Sequence, residues 1–291
     1  MNVLIFGDKG QDGYYLTNLL TKKKINVIGV SRSGNCINGN IGDYSFVESL
    51  IKIHQPDYVF HFAANSTTRH TALFENHETI CTGTLNILEA VRLHCPAAKV
   101  FLSGSAMQFV NNGLHINELT PFEASSPYSV ARIQSLYAGR YYRNKFGVKV
   151  YIGYFFNHDS PLRSEHHVNQ KIVKAVQRIT KGSNELLELG NIDVQKEFGF
   201  AGDTVQAVWT LMNQENVFEA VIGTGKAYSI KDWVVSCFES VGKDWKNYVI
   251  IKQDFVPEYK ILVSDPQIIK SLGWQPKVDF EKLVDLMMFN K

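Results

Sequence analysis

The chain has 291 residues, enough for one large domain or two closely packed domains with a substantial core. A net charge of +2, with 45% hydrophobic and 20% charged residues, is ordinary for a globular protein and argues against a nucleic-acid or membrane-surface partner. Four cysteines without a CxxC motif, no long apolar run and no signal-peptide pattern predict a cytoplasmic protein with reduced thiols, no metal and no membrane span.

The first half of the chain alternates strand-like and helix-like segments. The apolar run NVLIFG (2–7) predicts a buried parallel strand, DGYYLTNLLTKKK the first helix and INVIGV the second strand. The same order recurs in SFVESLIKIHQP and YVFHFAA, in ETICTGTLNILEAVRLHC and KVFLSGS, and in a helix over residues 128–146 followed by VKVYIGYFF. Repeated units of this kind predict an α/β fold, a Rossmann-like doubly wound parallel sheet with helices on both faces.

After residue 157 the alternation becomes looser. HVNQKIVKAVQRITKG, DPQIIKSLGW and DFEKLVDLMM predict helices, and EAVIGTG predicts a strand. We therefore expect a Rossmann domain over residues 1–157 and mainly a smaller substrate-binding lobe over residues 158–291. Segments near residues 191–224 are expected to return to the Rossmann domain. The lobe should lie at the carboxyl edge of the sheet, where open α/β sheets bind ligands.

Three glycines separate the first strand from the first helix. In FGDKGQDGYYL they are Gly7, Gly10 and Gly13, a spacing that allows a tight turn, close approach to a pyrophosphate and packing of the helix on the sheet. With Gln11 and Asp12 at the start of the helix, they predict a dinucleotide site whose phosphates face free N–H groups. The alternative is an ordinary turn at the edge of an α/β sheet.

The second strand ends in GVSRSG, where sites for NAD usually carry an acidic residue. Ser31 and Arg32 offer donors that suit a 2′-phosphate, so NADP(H) is favoured over NAD(H), although Arg32 could also be an ordinary exposed charge. Asp43 in NIGDYS is a candidate for contacting the adenine amine, or else an exposed turn residue. Ala63 and Ala64, at the end of the YVFHFAA segment, are also predicted to contact the cofactor, as are Tyr128 and Arg132 of the helix over residues 128–146.

Four features together resemble the extended short-chain dehydrogenase/reductases: the three-glycine loop, the FHFAANS strand end, a serine after the fifth strand, and a Tyr-x-x-x-basic helix. Within that superfamily, several stretches are similar to the GDP-mannose 4,6-dehydratase branch of nucleotide-sugar enzymes. They are GQDGYYLTNLL, FFNHDSPLR, LGNIDVQKEFGFAGDTVQAVW and LGWQPKV. The resemblance implies a nucleotide-sugar substrate. Helices at residues 79–95 and 128–146 resemble those of the superfamily's dimer interface, which implies a homodimer or homotetramer.

The resemblance also implies which residues hold the nucleotide. They are Asn157 of the FNH stretch, Val168 and Lys171 of the following helix, and Lys196, where the branch usually has arginine. Near the C-terminus the branch has Arg-Pro followed by Glu. This chain reads DFVPEY, with Val256 at the arginine position and Glu258 near the glutamate. The loss of that arginine leaves the base of the nucleotide open.

The resemblance places catalysis on Ser105, Tyr128 and Arg132. Tyr128 and Arg132 lie four residues apart on a predicted helix and so share one face. A cation there favours the phenolate form of a tyrosine, and arginine supplies that charge in place of the usual lysine. Ser105 stands where the superfamily has a serine or threonine that holds the reacting oxygen, and Ser103 is a second candidate. The alternative is a structural tyrosine beside an arginine without a catalytic role.

Two residues beyond Ser105, the 4,6-dehydratases carry a Glu or Asp that takes part in the elimination of water. This chain has Met107, and neither Glu118 nor Glu123 has the spacing of a substitute. Loss of a general acid or base costs about 10²- to 10⁴-fold in rate. We therefore predict an NADP(H)-dependent 4-ketoreductase of a nucleotide-linked 4-keto-6-deoxy sugar. The alternatives are an epimerase or 4,6-dehydratase, and a nucleotide-sugar-binding protein with impaired catalysis.

Overall fold

The computed structural model describes residues 1–252 and 255–290. Strands and helices alternate through its first half. In chain order these elements are β1 Asn2–Phe6, α1 Gln11–Lys22, β2 Asn26–Ser31, β3 Ile37–Asn38, α2 Tyr44–His54, β4 Tyr58–His61, α3 Leu73–Asn76, α4 Gly83–His94, β5 Lys99–Ser105, α5 Pro127–Phe146 and β6 Lys149–Phe155. A 3-10 turn at Ala106–Gln108 follows β5.

The remainder of the chain consists of shorter strands and further helices. In chain order they are β7 His158–Asp159, α6 Val168–Thr180, β8 Leu187–Leu189, β9 Gln195–Glu197, β10 Gly199–Phe200, α7 Ala201–Met212, β11 Glu219–Ile222, β12 Ala227–Ser229, α8 Ile230–Glu239, β13 Val249–Ile251, β14 Ile261–Leu262, α9 Gln267–Ser271 and α10 Phe280–Phe289. Of these, α7 packs against α1, and β11 joins the sheet formed by the first half.

The main sheet has seven strands in the order β11-β6-β5-β4-β1-β2-β3, and every pair in it is parallel. The strand order reverses at β1, because β2 and β3 extend to one side while β4, β5 and β6 extend to the other. This is the Rossmann-like doubly wound arrangement that the sequence predicted. In such sheets the crevice at the reversal, beyond the carboxyl ends of the strands, binds dinucleotides.

The two faces of the sheet bury different side chains of the same strands. On β1, Leu4 and Phe6 join a core with α2, α4 and α5, whereas Val3 and Ile5 join a core with α1 and α7. The division follows from the two-residue period of a strand, which sends alternate side chains to opposite faces. A third core lies in the C-terminal lobe, between α6, α8 and α10, with Trp233 fully buried at its centre.

The bounds of the two long helices were predicted with different accuracy. The second covers Pro127–Phe146, since Ser126 caps its start by accepting a hydrogen bond from the Ser129 N–H, and Gly147 ends it at φ 71°. The first, predicted over residues 79–95, is wrong in detail. Residues His77–Thr82 form a π-helical turn, and the α-helix covers only Gly83–His94. Apolar spacing does not distinguish a π-helical turn from an α-helical one, so the boundary was invisible in the sequence.

Membrane-spanning and metal-binding arrangements were sought throughout residues 1–252 and 255–290. Within those ranges no helix is long and apolar enough to cross a membrane. No cluster of three or more His, Cys, Asp or Glu side chains there is arranged to hold a metal ion. The four cysteines are free thiols.

Candidate active site

A cleft of about 990 Å³ opens at the carboxyl edge of the main sheet. It is lined by the loop after β4, by the ends of β5 and β6, by the first turns of α5 and by the segment that leads into β14. Residues of both the sheet and the C-terminal lobe therefore form its walls. Open parallel sheets bind ligands at this edge, so the cleft lies where the sequence predicted the site.

The glycine loop between β1 and α1 leaves no room for side chains. A β-carbon on Gly7, which has φ 92°, would lie 2.6 Å from the backbone nitrogen of Ala63, and one on Gly13 would lie 2.4 Å from the Gly7 carbonyl oxygen. Gly10 stands at the start of α1, and no side chain in the described part of the chain caps that end. The loop thus combines close backbone approach with free helix N–H groups, which fits the pyrophosphate of a dinucleotide.

Gln11 and Asp12 connect this loop to the strand β7 on the other side of the cleft. The Gln11 side chain donates to the His158 carbonyl oxygen at 3.2 Å and accepts from the Ser160 hydroxyl at 3.0 Å. Asp12 Oδ1 lies 2.8 Å from His158 Nε2, and His158 Nδ1 lies 2.8 Å from the Phe156 carbonyl oxygen. Since a carbonyl and a carboxylate both only accept, both ring nitrogens must carry hydrogen.

These hydrogen bonds favour the protonated form of His158, whose side chain is 10% exposed, paired with Asp12. Burial lowers the pKa of His158, but the charge and hydrogen bond of Asp12 outweigh burial and raise it. Burial conversely raises the pKa of Asp12, and His158 outweighs that effect and lowers it. The pair fixes the first turn of α1 against the lobe, so Asp12 has a structural role here in addition to its predicted place at the cofactor.

The predicted 2′-phosphate region lies at the end of β2. Arg32 is largely exposed, and its Nη1 lies 3.0 Å from Glu75 Oε1. Glu75 also accepts from the Asn65 amide at 2.7 Å. Ser31 is the last residue of β2, and the Asp43 carboxylate caps α2 by accepting from the Phe46 N–H at 3.3 Å. None of Ser31, Arg32 and Asp43 lines the cleft, so their contacts with a cofactor remain predictions.

The predicted catalytic residues Ser105, Tyr128 and Arg132 all line the cleft. Tyr128 and Arg132 are both buried and share one face of α5, with the guanidinium carbon of Arg132 5.1 Å from the centre of the Tyr128 ring. Ala64 packs against the same small apolar group as Tyr128. Ser105 is brought beside them because it ends β5, the strand on which α5 packs.

Hydrogen bonds distinguish the two candidate serines. The Ser103 hydroxyl donates to the His61 carbonyl oxygen at 3.0 Å and accepts from Arg132 Nη1 at 2.8 Å. Its only hydrogen is therefore used inside the protein. The Ser105 oxygen accepts from the Met107 N–H at 3.2 Å, which leaves its own hydrogen free to donate. The geometry thus favours Ser105 over Ser103 as the group that can hold a substrate oxygen.

Of the residues that the resemblance implies for the nucleotide, two line the cleft and three do not. Asn157 and Glu258 line it, and Glu258 accepts from the Thr68 hydroxyl at 2.5 Å, across the cleft. Val168 packs on the core of the lobe, and Lys171 donates to the Glu188 carbonyl oxygen at 2.7 Å. Lys196 is buried. Val256 is 87% exposed, and Asp254 of the DFVPEY stretch lies outside the described residues.

Several cleft residues were not singled out from the sequence. They are Asn65, Ser66, Thr67, Thr68, Arg69, Arg163, His166, His167 and Tyr259. The first five lie in the loop after β4, and the next three lie after β6. Since ligands bind beyond the carboxyl ends of such strands, this position in the chain is the signal by which the sequence could have identified them. Because residue type alone does not separate them from ordinary loop residues, the sequence did not select them.

Arg163, His167 and Lys196 form a basic cluster around one buried carboxylate, that of Asp159. Arg163 Nε lies 3.5 Å from Asp159 Oδ1, and Arg163 Nη2 lies 3.4 Å from His167 Nδ1. Burial and the nearby Arg163 lower the pKa of His167 to about 4. Burial lowers the pKa of Lys196 to about 8. The charge of Asp159 opposes this shift, and the charge of Arg163 adds to it. Near pH 7 the charged members are Arg163 and Lys196, which outnumber the single carboxylate, an arrangement that suits an anionic ligand such as a diphosphate.

Met107 occupies the cleft beside Ser105 and Tyr128. The carboxylates among the cleft-lining residues are Asp12, Glu75 and Glu258, and each already has a partner: His158, Arg32 with Asn65, and Thr68. Glu118 accepts from the Val221 N–H at 2.6 Å, and neither Glu118 nor Glu123 lines the cleft. Every described carboxylate that lines the cleft therefore already has a hydrogen-bond partner, and Met107 itself has no carboxylate to offer as an acid.

Curated relatives match the chain along almost its full length. A model of the GDP-mannose 4,6 dehydratase family matches residues 4–287. GDP-mannose 4,6 dehydratase 1 of Arabidopsis thaliana is 35% identical over 320 residues, which cover 98% of this chain and 88% of the relative. GDP-mannose 4,6-dehydratase of Yersinia enterocolitica is 29% identical over 340 residues, which cover 96% of this chain and 91% of the relative.

Solved structures of low sequence identity share the fold. UDP-glucose 4-epimerase of Thermotoga maritima, with UDP-glucose, superposes with a TM-score of 0.89 at 20% identity, covering 99% of this chain and 97% of that chain. RMD from Pseudomonas aeruginosa complexed with NADPH superposes with a TM-score of 0.87 at 18% identity, and the match covers 99% of this chain and 97% of that chain. The dTDP-glucose 4,6-dehydratase of Bacillus anthracis, in complex with NAD, has a TM-score of 0.87 at 18% identity, and the match covers 99% of this chain and 95% of that chain. The resemblance drawn from the sequence is confirmed, and this chain belongs to the GDP-mannose 4,6-dehydratase family.

Proposed function

We propose that this protein reduces the 4-keto group of a nucleotide-linked 4-keto-6-deoxy sugar with NADP(H). The observation that carries the proposal is the side chain of Met107, which lies in the cleft where a dehydratase needs a proton-exchanging acid. A thioether has no proton to exchange. Reduction of a ketone needs a proton donor at oxygen but no acid or base at the neighbouring carbons, so the groups that remain suffice for it.

The cofactor would be held by the glycine loop at its pyrophosphate and by Arg132 at the ribose next to the nicotinamide. Arg132 lines the cleft and is 5% exposed, and its buried Nε has no hydrogen-bond partner among the described residues. When bound, the nicotinamide supplies the hydride. Ser31 and Arg32 favour NADP(H), and a solved relative in fold carries NADPH while another carries NAD.

Proton transfer in this proposal belongs to Ser105 and Tyr128. The Ser105 hydroxyl donates a hydrogen bond to the keto oxygen and holds it in place. As the carbonyl carbon is reduced, its oxygen takes the proton of the Tyr128 hydroxyl, which leaves a phenolate. The guanidinium of Arg132, 5.1 Å from the ring centre, stabilises that negative charge until a proton returns from solvent.

The nucleotide diphosphate would lie against Arg163 and His167, the members of the basic cluster that line the cleft. Asn157 lines the cleft beside that cluster, and its Oδ1 is buried without a partner in the described structure. The names of the curated relatives, which act on GDP-mannose, support a nucleotide sugar as the ligand. Because Val256 offers no charge where the family branch has arginine, we leave the base of the nucleotide unassigned.

A 4,6-dehydratase or epimerase is the second candidate, and the family match favours it. A dehydratase needs a base near the sugar carbons, whereas oxidation or epimerisation at C4 uses the same groups as the reductase. His166 and His167 are the cleft residues that could provide a dehydratase with its base, since burial and Arg163 keep His167 neutral near pH 7. Compared with a dehydratase, the reductase is the better-supported function because it needs no group beyond Ser105, Tyr128 and Arg132.

One experiment separates these functions. The purified protein is incubated with NADPH and a panel of GDP-, UDP- and dTDP-linked 4-keto-6-deoxy sugars, and absorbance of the reduced nicotinamide is followed. Loss of that absorbance with formation of the 6-deoxy sugar supports the reductase. A new sugar isomer, or water loss from GDP-mannose without net cofactor use, would replace it with an epimerase or dehydratase. Tight nucleotide-sugar binding without turnover would indicate a binding protein.

We also propose a homodimer formed through α4 and α5. These helices expose large apolar side chains to solvent, namely Leu85, Leu93, Tyr137, Tyr141 and Phe146. Apolar side chains concentrated on neighbouring helices are typical of an association surface. Sedimentation equilibrium should give a dimer or tetramer, whereas a monomer at micromolar concentration would contradict the proposal.

A further inference from the structure

Arg132 poses a packing problem that a lysine at the same place does not. A guanidinium is planar, and its donors point in fixed directions, whereas an ammonium has three donors that rotate freely. Arg132 is 95% buried, so its guanidinium must find acceptors inside the protein or remain unpaired at a cost. Its Nε has no described partner, so the acceptors of Nη1 determine where the plane of the guanidinium lies.

Both acceptors of Nη1 come from one residue, Ser103. Nη1 donates to the Ser103 backbone carbonyl oxygen and, at 2.8 Å, to the Ser103 hydroxyl oxygen. Any residue at this position would offer the carbonyl, so the hydroxyl is the contribution that the side chain makes. The hydroxyl is itself oriented, because it donates its hydrogen to the His61 carbonyl oxygen at 3.0 Å. Its lone pairs are thereby directed to the guanidinium.

We propose that Ser103 is a positioning residue: its hydroxyl, held by the His61 carbonyl, fixes the Arg132 guanidinium beside Tyr128 and toward the cofactor ribose. This inference rests on the proposed function, since it assigns how Arg132 is kept in place for that reaction. With the carbonyl alone, the guanidinium would be held by one acceptor and could rotate about that hydrogen bond. Two acceptors on one nitrogen restrict the rotation.

No other described charge near Arg132 can take over this task. The His61 imidazole is 1% exposed, and burial and Arg132 lower the pKa of His61 to about 3, so it stays neutral and places no second positive charge beside the guanidinium. The Asp12 carboxylate is already bonded to His158. The effect of the Ser103 hydroxyl should therefore depend on the arginine: a lysine at 132 would lose little when the hydroxyl is removed.

The test is a double-mutant cycle on cofactor binding, measured as the NADPH dissociation constant by fluorescence titration without any sugar. The variants are Ser103→Ala, Arg132→Lys and the two combined, with Ser103→Thr as the conservative replacement. Ser135→Ala is the matched control, because Ser135 is a buried hydroxyl on the same helix that bonds to Thr84 and not to Arg132. kcat and KM for a keto sugar are measured on the same proteins.

Ser103→Ala should raise the NADPH dissociation constant about tenfold in the protein that keeps Arg132, because it removes one hydrogen bond to a charged group. The same substitution should lower kcat more than it changes KM. Ser103→Thr should restore both values to within about twofold, and Ser135→Ala should change neither. In the Arg132→Lys protein, Ser103→Ala should change the constant by less than about twofold.

An equal loss of NADPH affinity on Ser103→Ala in the Arg132 and Arg132→Lys proteins would overturn the inference, because the hydroxyl would then act independently of the guanidinium. Unchanged NADPH affinity on Ser103→Ala in the Arg132 protein would overturn it as well. If Ser103→Ala does not fold, Ser103→Cys takes its place in the cycle, since a thiol keeps the volume but accepts weakly. If the protein reduces none of the keto sugars, the proposed function fails, yet the binding cycle still decides the role of Ser103.

Discussion

Replacing Lys196 with methionine should stabilise the protein at neutral pH. Lys196 is 7% exposed, and its ammonium lies 5.4 Å from the centre of the Phe198 ring, in the basic cluster with Arg163. Burial lowers the pKa of Lys196 to about 8; Asp159 opposes the change and Arg163 adds to it. The folded protein therefore holds the charged lysine at a cost that the unfolded chain does not bear.

The size and sign of the effect follow from the two pKa values. The ordinary value is 10.5 and the folded value about 8, and each pKa unit corresponds to about 1.4 kcal/mol, so the cost is roughly 3 kcal/mol. It is present in full below about pH 8, where the lysine is charged in both states. It disappears as the pH rises from about 8 to about 10.5, because the folded protein releases the proton first and the unfolded chain then follows.

The assay is urea unfolding of the wild type and of Lys196→Met at pH 7 and at pH 10. The variant should gain roughly 2 to 3 kcal/mol in the free energy of unfolding at pH 7, and less than about 1 kcal/mol at pH 10. Lys171→Met is the control and should change little, because Lys171 bonds a carbonyl at the surface. An equal gain at both pH values would show that packing and not charge is responsible. A loss at pH 7 would refute the argument outright.

Three further predictions concern the cleft and the sheet. Tyr128→Phe should abolish turnover while NADPH binding changes by less than about threefold in a fluorescence titration; retained activity would disprove the assigned proton donor. Arg32→Ala should weaken NADPH binding at least about tenfold more than NADH binding, and an equal loss for both would exclude a 2′-phosphate contact. Burial would raise the pKa of Glu219, but hydrogen bonds from Arg140 and Arg143 outweigh it and lower it to about 2. Glu219 therefore stabilises the fold above about pH 4.5, and that contribution is lost as the pH falls toward 2. Glu219→Gln should lower the free energy of unfolding in urea by roughly 3 kcal/mol at pH 7 and by less than about half of that at pH 3; a loss independent of pH would contradict the ion-pair account.

Much of the fold could be predicted because its causes are local. The run from Asn2 to Phe6 is continuously apolar, as a strand buried on both faces must be, and Gly7, Gly10 and Gly13 follow at once. α5 begins at Pro127 after the cap Ser126 and ends before Gly147, which are signals that neighbouring residues carry. The meeting of Ser105 with Tyr128 and Arg132 was also predictable, because each lies where a strand or its following helix faces the carboxyl edge.

The contacts of Lys171 and Lys196 with a nucleotide remain predictions, and neither side chain lines the cleft. The carbonyl of Glu188 accepts from the Lys171 ammonium, and Lys196 is buried in the lobe. Arg163, four residues beyond the end of β7, lines the cleft instead. A sequence pattern states which residue types are present, but the direction of a long side chain depends on acceptors contributed by other elements.

The sequence by itself determined the doubly wound sheet, the glycine loop and the pair Tyr128–Arg132, since helix period, strand period and glycine spacing act over a few neighbouring residues. Only the tertiary structure decided that Ser103 is engaged with Arg132 while Ser105 faces the cleft with a free hydrogen. It also decided that Asp12 pairs with His158, 146 positions away. Hydrogen bonds between residues so far apart form only when the folded sheet brings strand ends together, and no local pattern records which partners will meet.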